Sequence, residues 1–368
     1  MRRLRVLLLT ATALAFAPAA HAADPGRWIQ TAVTETKSEY YQGITADPAA
    51  GQLFFDGFQI GGYRTSLTLA EQARNETLIP PAVAAAEGFN HIGDWSFDAA
   101  GDRLILPLEC YNPGSPGGAN TCGRGAFGIA TRDLVWQGRV LLDPQDIPKA
   151  MWAEVSPDGS LIWTSSGADL LAYRTADVTL AAGDVPIRPV RRLPGAVPPS
   201  GITGATFVGE RLLLAGQSAG PFQVWSVDLA TGARRLEIAR AWTGESEGLA
   251  TVDALGGVLQ WQIQPLDPKG RTPTFGTGHG TIVSFVSAVG APISLRRGPL
   301  RGGRTTITAT LRHGAARTPL AGVRITAAGR TVRTNARGRA VVRLPRGVAR
   351  VVVRATRPPM RSARLIIR

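Results

Sequence analysis

Lysine is almost missing from this 368-residue chain: of 41 basic residues only Lys37, Lys149 and Lys269 are lysines. Cysteine (2), methionine (3) and histidine (4) are also scarce. Two cysteines are too few for a disulfide-dense scaffold or a four-thiolate zinc site. Past residue 16 no apolar run approaches the roughly 18 to 20 residues that cross a bilayer as a helix, and no stretch keeps the 3.6-residue period of a helical bundle. Neither Gly201-Ile202-Thr203-Gly204 nor Gly278-His279-Gly280 is followed by the Lys-Ser/Thr or helix of a phosphate loop. Acidic residues are absent over 291–368, which holds 19 Arg and no Lys, Asp or Glu.

What is present is a globular, turn-rich composition, 44% apolar and 18% charged with 43 Gly and 26 Pro, which excludes a collagen, a coiled coil or a mostly disordered chain. At the N-terminus Arg2, Arg3 and Arg5 precede the apolar run Val6 to Phe16, and Ala20-His21-Ala22 offers a signal-peptidase site. Residues 1–22 therefore read as a Sec signal peptide, with no Cys for a lipid anchor and a mature chain expected from Ala23. The preference for Arg over Lys points to a GC-rich bacterial coding sequence, which makes the Asn75-Glu76-Thr77 sequon incidental.

The formal net charge of +14 hides a division. Residues 23–290 carry a net charge of −8 and residues 291–368 carry +19. Such asymmetry marks a domain boundary, and the two parts will not select the same partners. Export turns the arginines away from nucleic acid and toward an anionic cell-envelope polymer, lipid head groups or the acidic body itself.

A phrase recurs along the acidic part: a short polar strand, a tight turn, then an apolar strand anchored by Leu. It occurs as Gly43–Asp47 with Leu53, Asp94–Asp98 with Leu104, Trp152–Ser156 with Leu161, Thr203–Phe207 with Leu212, and Glu247–Thr251 with Leu259. A spacing near 50 residues with strand character indicates propeller blades. The last unit has Thr281–Val286 as a third strand and no fourth, while Trp28–Thr34 has no blade of its own. Pairing these two closes the ring and removes an open edge. The expectation is an all-β chain: a five-bladed β-propeller over 23–290, six blades being the alternative, a linker at 291–303, and a small Arg-rich β-sandwich over 304–368, expected as a monomer.

Phrases such as Ser156-Pro157-Asp158-Gly159-Ser160-Leu161 resemble the general plan of secreted β-propellers of the lactonase and strictosidine-synthase type. The tail phrases Pro319-Leu320-Ala321-Gly322-Val323 and Thr334-Asn335-Ala336-Arg337-Gly338 resemble carboxypeptidase regulatory-like and bacterial Ig-like modules. That second resemblance implies an Ig-like or prealbumin-like sandwich acting as a spacer or adhesion unit. The first implies fold and not chemistry.

Cys110 and Cys122 bracket a Gly- and Pro-rich loop, and export with an even count favours a disulfide over an incomplete metal site. In a propeller, loops entering the innermost strands and leaving the second strands open on one face. That places Gln42, Asn90, His91, Glu109, Glu245 and His279 together as candidate ligand-binding residues. Asp94, Glu154 and Glu247 are candidate metal ligands, with Ca²⁺ as the cofactor their oxygens would suit, and with His91 they are also the candidate catalytic groups. A plainer role competes at each: Asp94 and Glu247 as caps for neighbouring backbone, His91 as a packed histidine, His279 as an exposed loop residue. Two functions follow. One is an exported binding protein taking a small-molecule or glycan ligand on its acidic face; the other is a metal-assisted hydrolase or lyase acting on an ester, lactone or glycoside.

Overall fold

The computed structural model describes residues 25–57, 60–112, 119–217, 221–242, 244–264, 279–314, 316–345 and 350–367. The expected signal peptide, the tip of the Cys110–Cys122 loop, Lys269 and Gly278 lie outside the described residues.

Each recurring phrase becomes the inner half of an antiparallel sheet. Asp47 shows how the turn is made: its Oδ1 accepts from the backbone N–H groups of Ala49 and Ala50 at 3.0 and 3.1 Å, and Gly51 closes the turn at φ +66°, where a side chain is strained. Asp98 repeats the device by accepting from Gly101. The strands so joined are Ile44–Asp47 with Gln52–Gly57, then Ser96–Asp98 with Arg103–Glu109. Glu154–Val155 with Leu161–Ser166, Ile202–Val208 with Arg211–Gly216, and Glu245–Ala254 with Gly257–Gln264 follow the same plan. The anchoring Leu53, Leu104, Leu212 and Leu259 are fully buried.

Two outer strands complete each sheet. In the last sheet the outermost strand is Trp28–Glu35 from the N-terminus, paired antiparallel with Thr281–Ser287 from Trp28 opposite Ser287 to Glu35 opposite Thr281. In the third sheet the outer strand is short. It spans only Arg191–Leu193, because Pro189 has no N–H to give to the ladder. The second sheet receives the chain through Pro81–Glu87, the one α-helix among the described residues, which ends at Gly88 in a left-handed conformation.

Apolar clusters join the sheets face to face. Phe54, Trp95 and Leu104 link the first and second; Ile105, Phe127 and Ile162 the second and third; Trp163, Leu170 and Phe207 the third and fourth. Leu213, Val224 and Trp261 link the fourth and fifth. Ile44, Phe55 and Val252 then pack the fifth sheet back on the first. The result is a β-propeller, with the innermost strands around a common axis.

The arginine-rich tail forms two four-stranded antiparallel sheets. They enclose one core that includes Ile307, Leu311, Ile325, Val342 and Val353. The Thr334-Asn335 turn is formed: Asn335 Oδ1 accepts from the N–H groups of Arg337 and Arg339, each at 3.0 Å. A Cβ on Gly338 would lie 2.5 Å from the Ala309 carbonyl oxygen, so only glycine fits there. Residues 291–303, expected as a linker, differ from that reading. Ile293 is buried and Ser294–Arg297 pairs with Arg304–His313, because alternating apolar side chains there complete the core. Ile29 and Ala288 of the propeller belong to the same core, and His313 Nε2 lies 3.0 Å from Asp253 Oδ1.

Candidate functional site

Asp94 occupies the axis. Its Oδ1 accepts from the Ile44 N–H of the first sheet at 3.0 Å, and its Oδ2 accepts from Ala205 of the fourth at 2.9 Å and Leu249 of the fifth at 3.3 Å. Its own N–H donates to the Met151 carbonyl, and its carbonyl accepts from Ala153. One buried residue of the second sheet thereby touches all four others. Gly204 and Gly248 permit this approach, since a Cβ on either would fall within 3 Å of an Asp94 carboxylate oxygen. Burial, and behind it the charges of Asp56 and Glu154, push the Asp94 carboxyl well up, while the backbone amides oppose them.

Glu154 sits beside it, accepting from Ser96 Oγ at 2.8 Å and from the Phe207 N–H at 3.2 Å. Burial pushes its carboxyl up to about 8 despite these bonds. Asp56, which the sequence reading missed, is fully buried at the end of an otherwise apolar strand. Its Oδ1 accepts from the Gly43 N–H and its Oδ2 has no partner among the described residues. A lone acid after Leu53-Phe54-Phe55 was the available signal.

The mouth of the channel has different chemistry. His91 Nδ1 lies 2.9 Å from Glu109 Oε1, and Lys149 Nζ lies 2.8 Å from Glu109 Oε2. His91 Nε2 meets the Gln42 amide nitrogen at 2.7 Å, an arrangement that assigns the ring proton to Nδ1. Burial acts against ionisation of Glu109, but His91 and Lys149 outweigh it and hold the carboxyl below its ordinary value. Tyr111 packs against His91, ring centroids 5.1 Å apart, and its backbone exchanges hydrogen bonds with the Asn90 side chain. Asn90 is thus a positioning residue.

Glu245 and Glu247 begin the innermost strand of the fifth sheet, and neither carboxyl has a hydrogen-bond or ion-pair partner among the described residues. Burial pushes both up; for Glu247 the neighbouring Glu245, Asp56, Asp94 and Glu109 push further, and for Glu245 the nearby His91 opposes. Burial, and then the charges of Glu245, Glu109 and Glu247, push the Tyr111 hydroxyl up. A recess of about 590 Å³ shares Lys149 with this cluster and is lined besides by Met151, Ser165, Val197, Ile202 and Arg234.

Among the described residues no three His, Cys, Asp or Glu are grouped to hold a metal ion. Asp94 and Glu154 direct their oxygens to backbone amides and Ser96. His279 is exposed, with Nδ1 3.3 Å from the Thr36 carbonyl oxygen. Cys110 and Cys122 form the disulfide, and Gly88 lies against Cys110 Sγ, so the bridge fixes the loop that carries Tyr111.

No known family and no curated protein matches the chain. Similar solved structures include the WD40 repeats of RRP9, at 7% identity over 70% of this chain and 99% of that one, with a TM-score of 0.38. A nidogen/laminin complex shares 12% identity over 69% of this chain and 85% of that one, with a TM-score of 0.38. The Dos1 propeller shares 11% over 67% and 68%, with a TM-score of 0.35.

Proposed function

We propose that the chain is an exported, five-bladed propeller that binds a small polar molecule or glycan at the channel mouth, and that its arginine-rich sandwich, Ig-like in plan, holds it to anionic envelope material. The observation that carries the ligand site is the pair Glu245 and Glu247, without a hydrogen-bond or ion-pair partner among the described residues, on the strand whose Gly248 N–H donates to the Gln42 carbonyl. A half-buried carboxyl without a partner is costly. A ligand hydroxyl or amine satisfies it, and a ring stacked on Tyr111 adds apolar contact. The hydrolase or lyase reading has less support. Asp94 and Glu154, two of its four candidate catalytic groups, hold neighbouring sheets together through backbone amides, and a group so committed is not available to a substrate.

The test is saturation-transfer NMR of the mature chain against neutral and amino-sugar oligosaccharides, repeated with Glu245→Gln and Glu247→Gln. Sugar signals present in the wild type and lost or weakened about tenfold in both variants are expected, from one charged hydrogen bond each. Signals unchanged in both variants overturn the site. Turnover of an ester or lactone that survives both variants favours the enzyme.

A further inference from the structure

The arginine-rich unit turns one of its sheets into a ladder of paired cations. Strand Arg304–His313 is central to that sheet, and alternation sends Arg304, Thr306, Thr308, Thr310 and Arg312 to its outer side, while Ile307, Ala309 and Leu311 enter the core. Register does the rest. Arg343 stands opposite Arg304, Arg339 and Arg296 flank Thr308 on its two sides, and Arg317 stands opposite Arg312. Positions 304, 308 and 312 are four residues apart, so the pairs recur about every 13 Å along the strand, with neighbouring strands about 4.8 Å apart.

All six of these arginines are exposed, and none of their guanidinium groups has a hydrogen-bond or ion-pair partner among the described residues. No acid in 291–368 exists to neutralise them. Between the first two pairs Val341 is 59% exposed, and a recess of about 320 Å³ is lined there by Pro299, Arg301, Arg304, Thr305, Thr306 and Val341.

We infer that this face binds a linear acidic polysaccharide lying along strand Arg304–His313, its carboxylate or sulfate groups meeting the three arginine pairs and one sugar ring resting in the recess on Val341. This deepens the reading of the arginine-rich unit as an envelope anchor and rests on it. The pairs repeat in one direction only, which matches a linear polymer rather than a planar membrane. Residues 291–368 contain no Trp, Tyr or Phe, the residues that seat proteins at a lipid interface. Threonine hydroxyls between the arginines suit hydroxyl-rich partners, and an Arg fork takes a carboxylate bidentately.

The opposite sheet supplies a control of equal charge, since Arg324, Arg333, Arg354 and Arg364 are exposed on it. The mature chain is titrated with polygalacturonate, neutral dextran, phosphatidylglycerol vesicles and duplex DNA. Two quadruple variants follow: R296Q/R304Q/R339Q/R343Q on the ladder and R324Q/R333Q/R354Q/R364Q opposite. The ladder variant should lose about 30-fold in affinity for polygalacturonate, from four exposed charge pairs, and the control less than threefold. Oligogalacturonates should bind more tightly as they lengthen to about 27 Å, the span of the ladder, and no further. Equal weakening in both variants overturns the ladder while leaving the anchor reading intact. Tighter binding of vesicles or DNA than of polygalacturonate overturns the polymer class. Absence of binding to every polyanion at low salt overturns the anchor reading itself. Circular dichroism confirms that both variants are folded.

Discussion

Glu154 ties residue chemistry to measurable stability. Its folded-state value of about 8 stands above the ordinary glutamate value near 4.3, so between these limits the folded state binds more protons than the unfolded one. Its stabilising contribution is complete below about pH 4.3 and is lost as pH rises toward 8. The melting temperature should therefore fall between pH 5 and pH 8, and Glu154→Gln, which keeps an acceptor for Phe207 and a polar group for Ser96, should flatten that fall. A wild-type slope unchanged by the substitution would remove Glu154 from this role. Asp94 behaves in the opposite way to an isosteric amide. Both its oxygens accept from backbone N–H groups, so the NH₂ of Asp94→Asn must face a donor. Chemical denaturation should show a loss of about 1–3 kcal/mol, the cost of a buried unsatisfied group.

Among the strands, Trp28–Glu35 has the greatest leverage. It carries Trp28 into the core between the fourth and fifth sheets and Ile29 into the core shared with the arginine-rich unit. A chain lacking residues 23–37 leaves the edge Thr281–Ser287 unpaired and opens both cores at once. Such an edge also templates aggregation. Calorimetry should show loss of the single cooperative transition, and Trp28→Ala alone should cost about 3–5 kcal/mol, as for other large buried aromatics. A deletion variant with an unchanged melting temperature would break the closure argument. This pairing was legible in the sequence because two incomplete patterns, one at each end, completed one sheet. The strand Ser294–Arg297 was not legible, since its Pro, Gly and Arg neighbours read as a connector and only the core beneath Ile293 reveals its place.

At the scale of the whole molecule the charge division dominates. A propeller of net −8 joined to a unit of +19 attracts the opposite part of another copy wherever screening is weak. At 0.01 M salt the screening length is about 30 Å, comparable to a small domain, and at 0.15 M it is about 8 Å. Sedimentation should therefore detect head-to-tail association at the lower ionic strength and a monomer at the higher. A monomer under both conditions would show that the acidic surface is too dispersed to compete with solvent.

The sequence by itself determined the class of fold, the spacing of the recurring units, the disulfide partners and the place where charge changes sign. These depend on local periodicity, turn chemistry and composition, which short stretches of chain carry in full. Only the tertiary structure decided what each acid does. Asp94, Glu154 and Glu247 look alike at the starts of three innermost strands, yet Asp94 holds sheets together, Glu154 is bonded to Ser96 and Phe207, and Glu247 has no partner among the described residues. Those differences come from amides and glycines that lie as far as 155 residues away in sequence. Asp56 and Lys149 entered the picture for the same reason. A carboxyl's protonation, and whether it binds a ligand or staples a fold, is set by the desolvation and donors around it, and those arrive only when the ring closes.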